Sequence, residues 1–291
     1  MQNNTEFLKQ NLIAHRGMHN SQINIPENSI PAFQKALENK YIIELDLHIL
    51  KDKSIVVFHD NNLERMAGVN KNINDCNYND IKDLKLQNTN NYIPLFQNVL
   101  KLVDGKVPLI IELKYESYFD MKTGELEDKT MELLKDYKGK YAIKSFNPFS
   151  IYYLRKHYPS VVRGQLASGF KYDNMGIVQK FILKKMLFNY FSKPDFISYD
   201  INGLPNKYVS KFRENKLVMG WTIRSKNDLE FAKKYCDNFI CENVLWTIRA
   251  LTLYTMYLKK INNWKVIVIS KEKWYNSYYR KVVILCKERL L

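Results

Sequence analysis

Carboxylates interrupt the apolar runs of this 291-residue chain in a spacing suited to metal binding. Hydrophobic and polar residues alternate through positions 41–49, which places Glu44 and Asp46 on one face of a predicted strand. Glu112 interrupts a later run, and Lys114 follows on the same face. Neighbouring carboxylates repel each other unless a cation lies between them. This all-oxygen set predicts a site for Mg²⁺ or Ca²⁺, with a metal-free ion pair between Glu112 and Lys114 as the alternative.

Two histidines, His15 and His59, stand where apolar runs end. Histidine titrates near neutral pH, so the pair could serve as a general acid and a general base, with Arg16 and Lys114 holding an anion. A metal ion, two histidines and two cations predict phosphoryl chemistry, because the ion neutralises a phosphate oxygen while protons move at the attacking and leaving oxygens. A single histidine at a strand end is more often structural, but several polar exceptions at strand ends favour a functional site.

The elements that must carry these residues are short apolar runs alternating with amphipathic segments. This alternation predicts an α/β protein with a parallel sheet, and nine candidate strands favour a TIM (β/α)8 barrel over an open sheet. In such a barrel the C-terminal ends of the strands form the active site, and the polar exceptions fall mostly at those ends. The candidate strands are 12–14, 41–49, 55–58, 107–113, 141–146, 161–166, 195–199, 217–223 and 238–241.

Two features depart from a regular barrel. Only residues 50–54 separate the second candidate strand from the third, which is too short for a helical crossover. One of the two strands is therefore predicted to be a hairpin arm or an irregular segment. Residues 60–106 are long for a barrel loop and predict a small insertion after the strand that ends in His59-Asp60.

The net charge of +15 is the unusual feature of the composition, and it is concentrated at the C-terminus. Residues 246–291 hold ten Lys and Arg against two Asp and Glu, or +8. We expect a barrel domain over 1–245 and a basic C-terminal extension of unknown role over 246–291. Lys outnumbers Arg 36 to 9 and no nucleic-acid-binding motif occurs, so a nucleic acid is not an expected partner.

The cellular location is predicted from the N-terminal residues and from the length of the apolar stretches. The first residues show no signal-peptide pattern, and the longest apolar stretch, near 245–258, is shorter than the ~20 residues of a membrane span. We expect a cytoplasmic protein, with or without peripheral contact with an anionic membrane. Residues 177–193 contain four lysines and no acid, which fits either a membrane-surface segment or a barrel helix with a solvated lysine face. No pattern predicts an oligomeric state.

Several of these residues belong to an ordered set of short motifs, spread from about residue 11 to residue 243. The motifs are His15-Arg16-Gly17, Pro26-Glu27-Asn28-Ser29, Glu44-Leu45-Asp46-Leu47, Val56-Val57-Phe58-His59-Asp60 with Leu63 and Arg65, Glu112-Leu113-Lys114, Ser145-Phe146-Asn147-Pro148 and Trp221-Thr222. No tripeptide among them is specific alone, but the ordered set is, and it resembles the glycerophosphodiester phosphodiesterase family.

The resemblance implies a TIM-barrel hydrolase that converts a small-molecule glycerophosphodiester to sn-glycerol 3-phosphate and an alcohol. It implies a divalent metal, Mg²⁺ or Ca²⁺, and a histidine acid and base, for which we take His59 as the acid and His15 as the base. The implied site residues are the acid–base pair His15 and His59, the metal ligands Glu44, Asp46 and Glu112, the phosphate-binding Arg16 and Lys114, the aromatics Phe146 and Trp221 on the glycerol or head-group side or else in the core, and Glu27 beside the metal ligands.

The chain departs from the family pattern at two turns. Family members close the barrel with Asp-Gly, two hydrophobic residues and Thr-Asp, where this chain reads Asp237-Asn238-Phe239-Ile240-Cys241-Glu242, and Lys53 replaces a usual Gly. Such changes bear on loop shape and substrate choice. One alternative is a lysophospholipase D-like or other lipid phosphodiesterase on the same fold. A non-catalytic protein that binds a polyanion or a membrane is another. His19 and His48 match no role in the pattern and are expected to be structural.

Overall fold

The computed structural model describes residues 4–169, 177–242 and 245, and the basic extension 246–291 lies outside them. These described residues fall within one compact unit, Met1–Leu245. Its strands are β1 (Ile13–Ala14), β2 (Ile42–Ile49), β3 (Ile55–Val57), β4 (Leu109–Leu113), β5 (Tyr141–Ser145), β6 (Val162–Ala167), β7 (Phe196–Asp200), β8 (Leu217–Ile223) and β9 (Asn238–Cys241).

Eight parallel strands of the described chain close into a barrel. Their order is β1-β9-β8-β7-β6-β5-β4-β2, and β1 also pairs with β2, so the sheet has no open end. The short strand β1 makes the closure, because Ile13 pairs with Ile42 on one side and with Ile240 on the other. The predicted TIM barrel is therefore confirmed.

Helices connect successive strands around the outside of the barrel. Ser29 begins the first helix, because its hydroxyl accepts a hydrogen bond from the Ala32 amide and Pro31 occupies the first turn. None of the helices in the described part of the chain is long and apolar enough to span a membrane. The α-helices are α1 (Ile30–Glu38), α2 (Glu64–Ala67), α3 (Tyr78–Ile81), α4 (Phe96–Val103), α5 (Glu125–Leu134), α6 (Pro148–His157), α7 (Ile177–Lys184), α8 (Asn189–Ser192), α9 (Lys207–Arg213) and α10 (Lys226–Ala232).

Strand β3 is the predicted hairpin arm. It runs antiparallel to β2, with Leu47 opposite Val57, and the turn between them places Lys53 in the left-handed conformation (φ 68°) that glycine usually adopts. Residues from about 60 to 95 then form a small insertion with its own apolar core, centred on Leu63, Ile73 and Ile81. Helix α4 packs against α1 and leads into β4, so the segment with its own core ends before the predicted residue 106.

The barrel interior is layered along the strand direction. Apolar side chains, among them Ile42, Ile110 and Ala142, fill the end where the strands begin. Each buried isoleucine of this layer contributes roughly 2 kcal/mol. Side chains alternate along a strand, so the next inward position on each of these three strands is polar: Glu44, Glu112 and Lys144. The apolar layer thus forms the floor beneath a charged layer.

Candidate active site

Three carboxylates meet above this apolar floor, as the sequence predicts. The strand register sets Asp46 of β2 directly opposite Glu112 of β4, and Glu44 lies one inward position below Asp46. One oxygen from each of the three lies within 4.8 Å of the others, and all three residues are buried. These are the distances and the oxygen donors that a hard divalent cation uses.

Three basic side chains surround the carboxylates. Lys144 Nζ lies 2.7 Å from Glu44 Oε1 and 3.4 Å from Glu112 Oε2. Lys114 Nζ donates to Glu112 Oε1 at 2.8 Å, and Arg16 Nε lies 3.5 Å from Asp46 Oδ2. Sequence reasoning missed Lys144, which the strand register places directly opposite Glu112.

The charges in this layer stabilise one another. Burial alone would raise the pKa of Asp46, but the charges of His59, Lys114 and Arg16, with a hydrogen bond from Asn28, hold it well below its ordinary value. Burial disfavours the ammonium form of Lys144, yet the adjacent carboxylates outweigh burial and raise the pKa of that lysine. Asp46 is therefore ionised and suited to a cation.

The donor set passes a direct test of fit to a metal. Asp46 Oδ1 is buried and accepts no hydrogen bond from any residue that the structure describes, and Lys114 Nζ lies 3.8 Å from it, beyond hydrogen-bond distance. A buried carboxylate oxygen without a donor is costly unless a cation approaches it. Asp46 Oδ2, by contrast, accepts a hydrogen bond from Asn28 Nδ2 at 2.8 Å. The cluster can thus hold a metal through Glu44, Asp46 and Glu112, and the charges do not distinguish Mg²⁺ from Ca²⁺.

A tight turn after β1 places His15 and Arg16 beside the cluster. Arg16 and Gly17 both adopt positive φ (52° and 77°), and a Cβ on Gly17 would lie 2.9 Å from Ala32. Only glycine fits there, which explains the motif His15-Arg16-Gly17. The turn directs the Arg16 amide to Glu44 Oε2 at 2.9 Å.

His15 is held by a carboxylate from the far end of the barrel chain. Its Nδ1 lies 2.6 Å from Glu242 Oε1, and Arg224 Nε donates to Glu242 Oε2 at 2.8 Å. Burial raises the pKa of Glu242, but the hydrogen bond to His15 and the charges of His15 and Arg224 lower it to about 2. Sequence reasoning assigned Glu242 no role, although its position just past the last strand was a signal.

His59 is held by the next residue in the chain. Its Nδ1 lies 2.6 Å from Asp60 Oδ1, and Arg65 Nε donates to Asp60 Oδ2 at 2.5 Å. Arg65 also donates to Glu27 Oε1 at 2.6 Å, and Arg16 donates to the same oxygen at 2.7 Å. Glu27 therefore lies near the carboxylate cluster, as expected, and links the two arginines rather than adding a metal ligand.

A cavity of about 600 Å³ opens beside the cluster. His59, Glu112 and Lys114 line its polar side, and Phe146 lines its aromatic side. Trp221 meets Phe146 edge-on at 5.8 Å between ring centroids and also packs against the apolar floor. Phe146 thus lines the cavity, whereas Trp221 packs on Phe146 and against the apolar floor, which is the core alternative.

The two remaining histidines near the site differ in their surroundings. His48 is fully buried, with its ring nitrogens 3.2 Å from Asn74 Oδ1 and 3.2 Å from the His59 carbonyl oxygen. Burial lowers the pKa of His48 to about 4, so it is a neutral support for the hairpin. His19 offers a ring nitrogen within 4.8 Å of ligand atoms on His15 and Glu242, at the rim of the site.

Comparisons of this chain with known proteins point to one enzyme family. The family model of the glycerophosphoryl diester phosphodiesterases matches residues 15–243. A glycerophosphodiester phosphodiesterase of Caldanaerobacter subterraneus subsp. tengcongensis is 27% identical over 232 residues, which is 77% of this chain and 89% of the relative. Human lysophospholipase D GDPD1 is 34% identical over 138 residues, covering 43% of this chain and 41% of that protein.

Solved structures share the fold. An Oleispira antarctica phosphodiesterase, solved in complex with the product sn-glycerol-3-phosphate, aligns with a TM-score of 0.65 at 20% identity, over 79% of this chain and 92% of that one. A structure described as a putative glycerophosphodiester phosphodiesterase from Galdieria sulphuraria aligns with a TM-score of 0.66 at 20% identity, over 80% and 93%. With the family model matching over three quarters of its length, this chain belongs to the glycerophosphoryl diester phosphodiesterase family and is a phosphoric diester hydrolase.

Proposed function

We propose that this protein hydrolyses glycerophosphodiesters to sn-glycerol 3-phosphate and an alcohol by metal-dependent acid–base catalysis with His15 and His59. One observation carries the proposal: two histidines, each bound through Nδ1 to a carboxylate, stand beside one buried cluster of three carboxylates. A carboxylate on Nδ1 fixes the ring and leaves Nε2 to exchange a proton with substrate.

Glu44, Asp46 and Glu112 would hold the divalent metal, Mg²⁺ or Ca²⁺. When bound, such an ion supplies positive charge to a phosphate oxygen as the diester bond breaks. The chain adds further positive charge of its own. Arg16 and Lys114 border the cluster, and Lys114 lines the cavity, so both are placed to bind the remaining phosphate oxygens.

The two histidines are assigned opposite proton transfers. His59 lines the cavity, where a departing alcohol has room, so we assign it as the acid that donates a proton to the leaving oxygen. His15, on the β1 turn beside Glu242, is assigned as the base that takes a proton from the attacking water or glycerol hydroxyl. If the hydroxyl attacks, the first products are a cyclic glycerol phosphate and the alcohol, and water then opens the cyclic phosphate to glycerol 3-phosphate. The reaction balances because one proton is taken from the nucleophile and one is given to the alcohol.

A panel of substrates with and without chelator tests this function. Glycerophosphocholine, glycerophosphoethanolamine and glycerophosphoglycerol are each assayed after chelation and after readdition of Mg²⁺ or Ca²⁺, and released glycerol 3-phosphate is measured. We expect chelation to remove turnover and one of the metals to restore it. Full turnover of every substrate in excess chelator would overturn the metal proposal.

Metal binding itself provides a second readout. Glu44→Gln and Asp46→Asn are expected to weaken metal binding in calorimetry at least tenfold, whereas the exposed Glu64→Gln on the insertion is a matched control with wild-type binding. Lys144→Met is expected to strengthen binding, because it removes a cation that lies 2.7 Å from Glu44. Unchanged affinity in Glu44→Gln and Asp46→Asn would place the metal elsewhere.

A second candidate is hydrolysis of lysophospholipids. The aromatic side of the cavity, where Tyr118 packs on Phe146 at 5.2 Å, suits a substrate with an apolar portion. The partial similarity to lysophospholipase D GDPD1 points in the same direction. Hydrolysis rates of lysophosphatidylcholine and water-soluble glycerophosphocholine are compared at equal concentration below the micellar limit, and the faster reaction identifies the substrate class.

The predicted cytoplasmic location stays a prediction.

A further inference from the structure

An exposed apolar patch lies on the helices that follow β6. We call Phe181, Leu187, Tyr190 and Phe191 the outer aromatic patch, and their exposed fractions are 51%, 47%, 79% and 59%. Three aromatic rings and a leucine exposed within eleven residues form a cluster of the kind that marks an interaction site. Isolated exposed apolar residues need no such explanation.

The opposite side of the same segment is already used for packing. Leu183 and Met186 are buried, so helix α7 and the turn after it are apolar on their inner and outer sides. A helix on the surface of a barrel normally needs one apolar face only. The second face therefore has no function in the fold of the described chain, and it is available to an outside partner.

The surroundings of the patch are basic. Lys180, Lys184, Lys185 and Lys193 lie within residues 177–193, which contain no Asp or Glu. Lys185 Nζ lies 3.8 Å from the centroid of the Phe181 ring. Aromatic rings beside lysine ammonium groups are the combination that binds the interface between anionic headgroups and acyl chains.

Neighbouring aromatic rings connect the patch segment to the active-site cavity. Phe188, between Leu187 and Tyr190 in the chain, has its ring centroid 5.6 Å from that of Phe119 in a tilted arrangement and 5.6 Å from that of Phe149 edge-on. Phe119 lines the cavity. Helix α8 is fixed there because Arg155 donates a hydrogen bond to the Phe191 carbonyl oxygen. A surface bound at the patch would therefore lie beside the cavity opening.

We propose that the outer aromatic patch docks this protein on the surface of a bilayer that contains anionic phospholipid, next to the lipid phosphodiester it cleaves. The choice of substrate rests on the proposed function, whereas the docking does not. Charge selects the bilayer over the two other occupants of such a patch. A second copy would bring four further lysines against the first four, and the extension 246–291 carries +8, so both would be repelled.

A fluorophore placed in the patch tests the docking directly. Tyr190→Cys is labelled with an environment-sensitive dye in a full-length chain that also carries Cys286→Ser. Cys76, Cys236 and Cys241 are buried, and burial raises the pKa of the Cys236 thiol to about 12, so labelling is selective. Tyr92→Cys, at a 44% exposed tyrosine on the insertion, is the matched control.

We expect the emission at position 190 to shift to the blue with phosphatidylglycerol vesicles, to stay unchanged with pure phosphatidylcholine, and to return at high salt. Position 92 should not respond. The proposal fails if the chain sediments with the vesicles while position 190 stays unchanged, if both positions shift, or if no binding occurs. It also fails if position 190 is blue-shifted without vesicles, because the patch is then covered by protein.

Two variants separate docking from catalysis. Tyr190→Ser/Phe191→Ser and Lys184→Glu/Lys193→Glu should keep wild-type kcat/KM on a water-soluble glycerophosphodiester, and they should lose about tenfold or more in vesicle affinity. Hydrolysis of lysolipid held in anionic vesicles should fall in parallel. If no substrate is hydrolysed, the proposed function fails while the fluorescence result still decides the docking. Wild-type vesicle affinity in both variants would contradict the docking.

Discussion

The two histidine–carboxylate pairs have similar geometry but different support. His15 and Glu242 are 227 residues apart and meet only because β1 pairs with β9 when the barrel closes. His59 and Asp60 are consecutive, on the chain that leaves the hairpin for the insertion. Both histidines have Nδ1 at 2.6 Å from a carboxylate oxygen. The first pair therefore depends on global closure, and the second depends on a local loop.

The partners of the carboxylates differ in the same way. Glu242 is bound by Arg224, whereas Asp60 is bound by Arg65, which Glu27 connects to Arg16; the two arginine side chains themselves are similarly exposed, at 56% and 47%. The loop pair is thus tied into the barrel by a network of ion pairs. A flexible connection can present a histidine with the accuracy of a barrel strand when such a network fixes it.

Removing either histidine should have the largest effect. We expect His15→Ala and His59→Ala each to lower kcat on glycerophosphocholine by about 10²- to 10⁴-fold, because each loses one proton transfer. Steady-state kinetics measures this, with circular dichroism to check folding. His157→Ala, on the outer helix α6, is the control and should keep full turnover. Full metal-dependent turnover in both site variants would contradict the acid–base proposal.

Neutralising the carboxylates should have the next largest effect. Glu242→Gln and Asp60→Asn are each expected to lower kcat by about 10- to 100-fold and to shift one limb of the pH–rate profile to lower pH, because a neutral amide no longer stabilises the protonated histidine. The two variants should shift opposite limbs. Glu242→Asp should recover part of the loss. Lower kcat without any change in the pH profile would reduce both carboxylates to structural roles.

Replacing Arg65 and replacing Arg224 should lower kcat/KM by different amounts. Arg65→Met removes hydrogen bonds to both Asp60 and Glu27, so we expect a loss of about fivefold to tenfold in kcat/KM. Arg224→Met removes side-chain hydrogen bonds to one carboxylate, Glu242, so a loss of about twofold is expected. The same assay measures both. Equal losses would show that the network does not position His59.

Acid stability should show the smallest difference. The pKa of Glu242 is about 2 in the folded protein and 4.5 ordinarily, so its stabilisation is complete above about pH 4.5 and is lost as the pH falls toward 2. After allowance for solvent screening, we expect about 1 kcal/mol. Urea unfolding at pH 5 and pH 3 compares the wild type with Glu242→Gln. The difference in unfolding free energy should shrink at pH 3, and an unchanged difference would contradict the pKa.

The sequence predicted the arrangement of the candidate site correctly where the polar residues lie in a single strand. Alternation through β2 predicted that Glu44 and Asp46 share a face, and the structure places both inside the barrel. The eightfold barrel followed from the number and spacing of apolar runs. The sequence could not decide which of β2 and β3 was the hairpin arm, because both read as buried strands and only pairing distinguishes them.

Contacts between distant strands could not be predicted from the sequence. Glu242 reaches His15 only through barrel closure, and no local pattern encodes a contact across 227 residues. Lys144 was missed because a single lysine near a strand end resembles a surface residue until the register places it beside Glu112. The link from Arg16 through Glu27 to Arg65 joins the turn after β1, the segment before α1 and helix α2, and it likewise requires the fold.

The assignment of His59 as acid and His15 as base is tested most directly by changing the leaving group. Two glycerophosphodiesters are compared, one that releases choline and one that releases p-nitrophenol, which departs without a proton. His59→Ala should lose about 10²-fold or more on the first substrate and tenfold or less on the second, whereas His15→Ala should lose equally on both. Equal losses for His59→Ala on the two substrates, or a selective recovery of His15→Ala, would contradict the assignment.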